Sequence, residues 1–147
     1  MSDTYSTIVV GTDGSKSSML AVERAAKIAS AFDATLIIGC AYYENKEEAS
    51  KTLRQESVTI LGGDPAEKNL KAAAEFAEQF NVKDIQTEVR SGSPVSALMQ
   101  IVTDRKADLL IVGNRGINSL TGRLLGSVPA DLARQSDCDV MIVHTVD

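Results

Sequence analysis

The sequence of 147 residues contains no tryptophan, and aromatic residues make up only 4% of a chain that is 44% hydrophobic. Its core must therefore be aliphatic, built from Ala, Val, Ile and Leu, a composition that favours a parallel sheet flanked by helices. Cysteine is scarce too. Cys40 and Cys138 lie in or beside apolar runs, as small buried hydrophobes do, and offer no C-x-x-C spacing for a metal or a redox pair. The one histidine, His144, has no partner at metal-ligand spacing and reads as a strand residue near the C-terminus, not a catalytic base. The length suffices to bury a core without disulfides or metals, so one domain over residues 1–147 is expected.

Positive charge is also in deficit: 15 basic residues face 20 acidic ones, and Arg105-Lys106 is the only adjacent basic pair. That balance argues against nucleic acid as the main partner. No stretch approaches the length of a membrane span, and the N-terminus lacks a basic region followed by a long apolar run. The expected place is the cytoplasm, with no membrane partner. Two common phosphate signatures are missing as well. In Gly11-Thr12-Asp13-Gly14-Ser15-Lys16-Ser17 the lysine comes one place too early for a Walker loop. No G-x-G-x-x-G occupies the first strand-to-helix turn.

What the chain does have is Gly113 to Ser127, G-N-R-G-I-N-S-L-T-G-R-L-L-G-S, directly after the continuous apolar run Leu109-Leu110-Ile111-Val112. The run reads as a strand buried on both faces, so the glycine loop leaves its carboxyl end. Gly113, Gly116, Gly122 and Gly126 carry no Cβ to keep a ligand from the backbone amides. Ser127, Val128 and Pro129 open a helix whose first-turn amides attract anions. Between Leu109 and Ala130 stand Arg115 and Arg123 and no acidic residue, in a chain of formal charge −5. An anionic ligand fits here better than elsewhere.

Taken in order, Ser6 to Thr12 reads as a first strand, Ser15 as the cap of a helix buried through Met19, Val22, Ala26 and Ala29, and Ala34 to Ala41 as a second strand. The charged segment from Tyr42 to Gly63 reads as a long variable loop and, more weakly, as a cover for the ligand. Asp64-Pro65-Ala66-Glu67 looks like a capped helix start, with Leu70, Ala73, Ala77 and Phe80 on the buried side. Ile85 to Arg90 is a polar strand that suits an edge. Ser93-Pro94 starts a helix buried through Val95, Leu98 and Val102, and a helix from Val128 to Arg134 leads into a fifth strand from Cys138 to Thr145. Five strands alternating with four helices make a three-layer α/β/α sandwich.

The spacing Gly113-x2-Gly116-x9-Gly126-Ser127, the opening Ile8-Val9-Val10-Gly11-Thr12-Asp13-Gly14-Ser15 and the closing Asp139-Val140-Met141-Ile142-Val143 together resemble the universal stress protein family over nearly the whole chain. The spacing resembles its nucleotide-binding branch. The resemblance implies a Rossmann-like fold similar to the adenine nucleotide alpha hydrolases, with a five-stranded parallel sheet in the order 3-2-1-4-5. It also implies a site outside the carboxyl ends of strands one and four. There Asp13 and the backbone near Ala41 would hold the adenosine part, and the loop glycines with Ser127 the ribose and phosphates. The binding set expected is Gly11, Thr12, Asp13, Ala41, Val112, Gly113, Asn114, Arg115, Gly116, Arg123, Gly126, Ser127, Val128 and Pro129. Gly11 and Pro129 depart from residue types frequent in the family. Antiparallel pairing of Asp139 to Thr145 with the same strand of a second copy would make a homodimer.

The functional expectation is an adenine-nucleotide sensor or sequestering module. ATP, AMP and cyclic AMP all remain open, with Mg2+ or Mn2+ able to accompany a polyphosphate although no carboxylate cluster cages it. A slow ATPase or autophosphorylating enzyme is the second reading; against it stand the missing Walker lysine and the lack of a general base in the loops. An interaction protein without nucleotide is the third, opposed by the intact glycine spacing.

Overall fold

In the computed structural model, the residues described are 5–45, 47, 60–114 and 127–145, Ser127 by its backbone alone. The elements are β1 (Thr7–Gly11), α1 (Lys16–Phe32), β2 (Thr35–Tyr42), α2 (Gly63–Ala77), a 3-10 turn (Glu78–Phe80), β3 (Asp84–Ser91), α3 (Pro94–Arg105), β4 (Leu109–Gly113), α4 (Ser127–Gln135) and β5 (Asp139–Val143). All strand pairs are parallel, in the order β3-β2-β1-β4-β5. The expected sandwich and strand order are therefore present.

Alternation along the strands divides the core in two, because successive side chains point to opposite faces. Ile8, Val10, Leu36, Ile38 and Ile111 pack with Ala21, Ala25, Ala29, Leu70 and Ala73 under α1 and α2. Val9, Ile37, Leu110 and Val112 pack with Leu98, Ile101 and Leu132 under α3 and α4. Alanine on α1 lets that helix lie close to the sheet, and each fully buried Ile or Leu contributes about 1.5–3 kcal/mol. Leu109 to Val112 are all buried, as a strand covered on both faces requires.

Several boundaries differ from the sequence reading. Thr12 lies past β1, and Ala34 precedes β2 because the left-handed C-cap Asp33 (φ 59°) and the bond from Ala34 N–H to Ala29 O (2.8 Å) belong to the end of α1. Asp64 is not the cap of α2. Gly62, at φ 90°, holds that position without a side-chain bond, and Asp64 sits in the first turn, where its charge still faces the helix dipole. The reason lies upstream: Tyr43 N–H bonds Ile60 O and Gly62 N–H bonds Tyr43 O, both at 2.8 Å, so the helix begins two residues early. This pairing also draws together the two ends of the long loop, of which residues 46 and 48–59 lie outside the described residues. Cys40 is buried as expected, but Cys138 is only half-buried and precedes β5, while exposed His144 and buried Thr145 follow it.

Candidate functional site

The turn after β1 is held by a closed set of short-range hydrogen bonds. Ser15 caps α1, accepting from Ser18 N–H at 3.1 Å, and its carbonyl accepts from the Ser18 hydroxyl at 2.9 Å. With that hydroxyl proton committed, Ser18 Oγ accepts from the Thr12 hydroxyl (3.0 Å) and from Asp13 N–H (3.3 Å). Thr12 Oγ1 in turn accepts from Gly14 N–H at 3.2 Å. Asp13 Oδ1 accepts from Ser15 N–H at 2.9 Å, the side-chain-to-backbone turn that aspartate forms readily. The half-exposed carboxylate is thus oriented before any ligand arrives, and its second oxygen has no hydrogen-bond partner among the described residues. Gly14, at φ +83°, supplies the left-handed step of the turn.

The register carries this turn to the other walls. Gly11 pairs with Gly39 on one side and Val10 with Ile111 on the other, which puts Asp13 level with Ala41 and Thr12 level with Gly113. Thr12 N–H also bonds Gly39 O at 2.9 Å. Asp13, Ala41 and Gly113, from three separate stretches, therefore all lie at the carboxyl ends of β1, β2 and β4. Helices attached to β1 and β4 lie on opposite faces of the sheet, so this is a topological switch point.

Beyond β4, Asn114 is buried and turned inward. Its Oδ1 accepts from Thr145 N–H (3.0 Å) and from the Thr145 hydroxyl (2.7 Å), while its own N–H bonds Val143 O (2.9 Å). Because the Thr145 hydroxyl donates to Asn114, it accepts from Ser17 Oγ on the first turn of α1. Gly113 is required by the same close approach. A Cβ there would lie 3.0 Å from Ser17 Oγ and 3.3 Å from Ser17 O. At Gly11 a Cβ would meet Leu98 Cδ1 at 2.8 Å, so the missing side chain makes room for α3.

Of the other expected residues, Val112 is buried in the α3 and α4 layer, Ala41 is half-exposed at the end of β2, and Val128 and Pro129 occupy the first turn of α4, half-buried and buried. Ser127 opens α4 by its backbone. Arg115, Gly116, Arg123 and Gly126, with the rest of 115–126, lie outside the described residues. The sequence reading missed Ser17, Ser18 and Thr145, which brace the site, and Asn69 of α2. The Asn69 amide abuts Gly14 and lies near the Cys40 thiol, which bonds Ala41 O at 3.7 Å and whose pKa burial pushes up to about 12. Among the described residues no three His, Cys, Asp or Glu side chains cluster to hold a metal ion, and no helix is long and apolar enough to cross a membrane.

The model of the universal stress protein family matches residues 4–144. Universal stress protein Rv1636 of Mycobacterium tuberculosis is 48% identical over 143 residues, covering 96% of this chain and 97% of that protein. A universal stress protein crystallised in complex with cAMP is 43% identical, with a TM-score of 0.76 over 98% of this chain and 100% of that one. The universal stress protein UspA of Lactobacillus plantarum, at 20% identity, shares the fold with a TM-score of 0.76 over 97% of this chain and 99% of its own.

Proposed function

Since the chain belongs to the universal stress protein family, we propose that it is a member of the nucleotide-binding branch, taking an adenine mononucleotide at the carboxyl ends of β1 and β4. The observation that carries this reading is that Asp13, Ala41 and Gly113 all stand at the carboxyl ends of β1, β2 and β4, which sets a pre-oriented carboxylate beside the start of the glycine loop. A carboxylate with an oxygen to spare suits a ribose hydroxyl or an exocyclic amine, both of them donors. The phosphate then lies toward the amides that open α4. Cyclic AMP is the favoured ligand, supported by the relative at 43% identity that was crystallised with it. The protein acts by holding the nucleotide and reporting its presence, with no turnover.

We also assign a homodimer to the β5 edge. β5 is an outer strand, and its ladder to β4 ends at Val143, so the free edge is Asp139–Val143 and not the longer run to Thr145. Thr145 is tied inward to Asn114 instead.

Mass spectrometry of small molecules released by denaturing freshly purified protein tests the ligand. An adenine mononucleotide near one per chain supports the reading. Release of a different ligand at that stoichiometry rules it out.

A further inference from the structure

Asn69 lies at the corner where the Asp13 turn meets the end of β2. It sits on the second turn of α2, whose neighbouring residues Ala66, Leu70 and Ala73 are buried in the apolar core, while Asn69 itself is only half-buried. Its amide packs against Gly14: a Cβ on that glycine would lie 2.9 Å from Oδ1 and 3.1 Å from Nδ2. On its other side it lies near the thiol of Cys40, the residue before Ala41. One amide therefore stands beside both stretches assigned to the adenosine part of the ligand.

The fold alone does not call for an amide here. Cys40 is 1% exposed and stays neutral, and its thiol already reaches Ala41 O at 3.7 Å, so it needs no amide. Gly14 needs only a neighbour of the right size. A carboxamide has two N–H donors and two acceptor lone pairs, more than one thiol can engage. Of the polar side chains around this corner, Asp13 and Glu67 only accept when ionised. Asn69 offers donor and acceptor side by side, the pattern that complements an adenine edge, where the N6 amino group adjoins a ring-nitrogen acceptor.

We propose that Asn69 is a specificity-determining residue that reads the edge of the base and selects adenine over guanine. The inference rests on the nucleotide-binding reading above and deepens it. A carboxylate in its place accepts from the adjacent N1–H and N2 amino group of guanine and offers nothing to a ring nitrogen of adenine.

The test is calorimetric titration of the full chain with cAMP and with cGMP, for the parent, Asn69→Ala and Asn69→Asp, with thermal melts to confirm folding. The parent should prefer cAMP. Asn69→Ala should lower cAMP affinity roughly tenfold or more while leaving cGMP unchanged, and Asn69→Asp should shift the ratio toward cGMP. Asn69→Ser replaces the carboxylate variant if that one does not fold, and should behave like the alanine. A residue that merely props the turn would weaken both nucleotides alike, so an unchanged cAMP to cGMP ratio in the folded variants overturns the proposal. If the folded parent binds neither of these nor AMP and ATP, the binding reading itself has failed, and this inference falls with it.

Discussion

Thr145 donates twice to one atom, its N–H at 3.0 Å and its hydroxyl at 2.7 Å both ending on Oδ1 of Asn114. The pair fastens Asn114, the second residue of the glycine loop, to the chain just past β5. Both residues are buried, so neither donor has water to fall back on. Asn114→Ala should therefore cost about 2–4 kcal/mol, since each stranded buried donor costs roughly 1–3 kcal/mol. Urea denaturation checks this, and a loss below 0.5 kcal/mol would show that the latch contributes little.

Glycine substitutions rank by what they would strike. A Cβ at Gly113 meets the backbone and hydroxyl of Ser17, both at the fixed start of α1, whereas one at Gly11 meets the flexible tip of Leu98. Gly113→Ala should cost about 1–3 kcal/mol, the usual range for overpacking, and Gly11→Ala should cost less than 1.5 kcal/mol. Thermal melts of the two variants test the order. A Gly11→Ala variant less stable than Gly113→Ala would mean that α3 cannot adjust where α1 can.

On the β3 side, Glu88 bonds Arg90 and Arg105 at 2.5 Å each, and Arg90 also reaches Asp104 at 3.3 Å. Burial works to raise the Glu88 carboxyl, but the hydrogen bonds from Arg105 and Arg90 outweigh it and hold the group below the usual glutamate range. A carboxylate depressed in the folded state adds stability that is complete above its unfolded pKa, near 4.3, and is lost as pH falls through the folded value. Glu88→Gln should therefore flatten the stability profile below about pH 4.3 relative to the parent. Identical acid limbs for the two proteins would exclude Glu88 as a source of the loss.

Backbone direction separates two proline variants in β5. Val143 O accepts from Asn114 N–H, so Val143 turns its backbone groups toward β4, and Ile142 turns its own outward. Ile142→Pro removes a donor from the free edge and should give a folded monomer, while Val143→Pro breaks the ladder to β4 and should destabilise the sheet itself. Sedimentation with circular dichroism distinguishes them. A folded Ile142→Pro that remains a dimer would place the interface elsewhere.

Much of the fold was legible because local chemistry and tertiary role agree. The unbroken run Leu109 to Val112 demanded a strand covered on both sides, and Ser15 capped the helix that its position implied. Asp64 misled because the match to a capping pattern is local, whereas the entry of α2 is decided by the Tyr43 and Leu61 bridge and a left-handed Gly62. The site was legible in part. Asp13 and the glycine loop stood out by residue type, but their adjacency came from the family's strand order, not from periodicity. Asn69 meets Gly14 from 55 positions along the chain, and Thr145 meets Asn114 from 31. Neither contact leaves a local pattern to read.

The most direct test of the central claim is titration calorimetry of the purified protein with cAMP, AMP and ATP, beside Asp13→Ala. Asp13 engages only its own turn through Oδ1, so the variant should keep its fold by circular dichroism. The parent should show saturable binding of one adenine nucleotide per chain, weakened at least about tenfold in Asp13→Ala, since a hydrogen bond to a charged group contributes roughly 1.5–3 kcal/mol. No heat of binding from any of the three nucleotides, or equal affinity in the parent and a folded Asp13→Ala, would contradict the account.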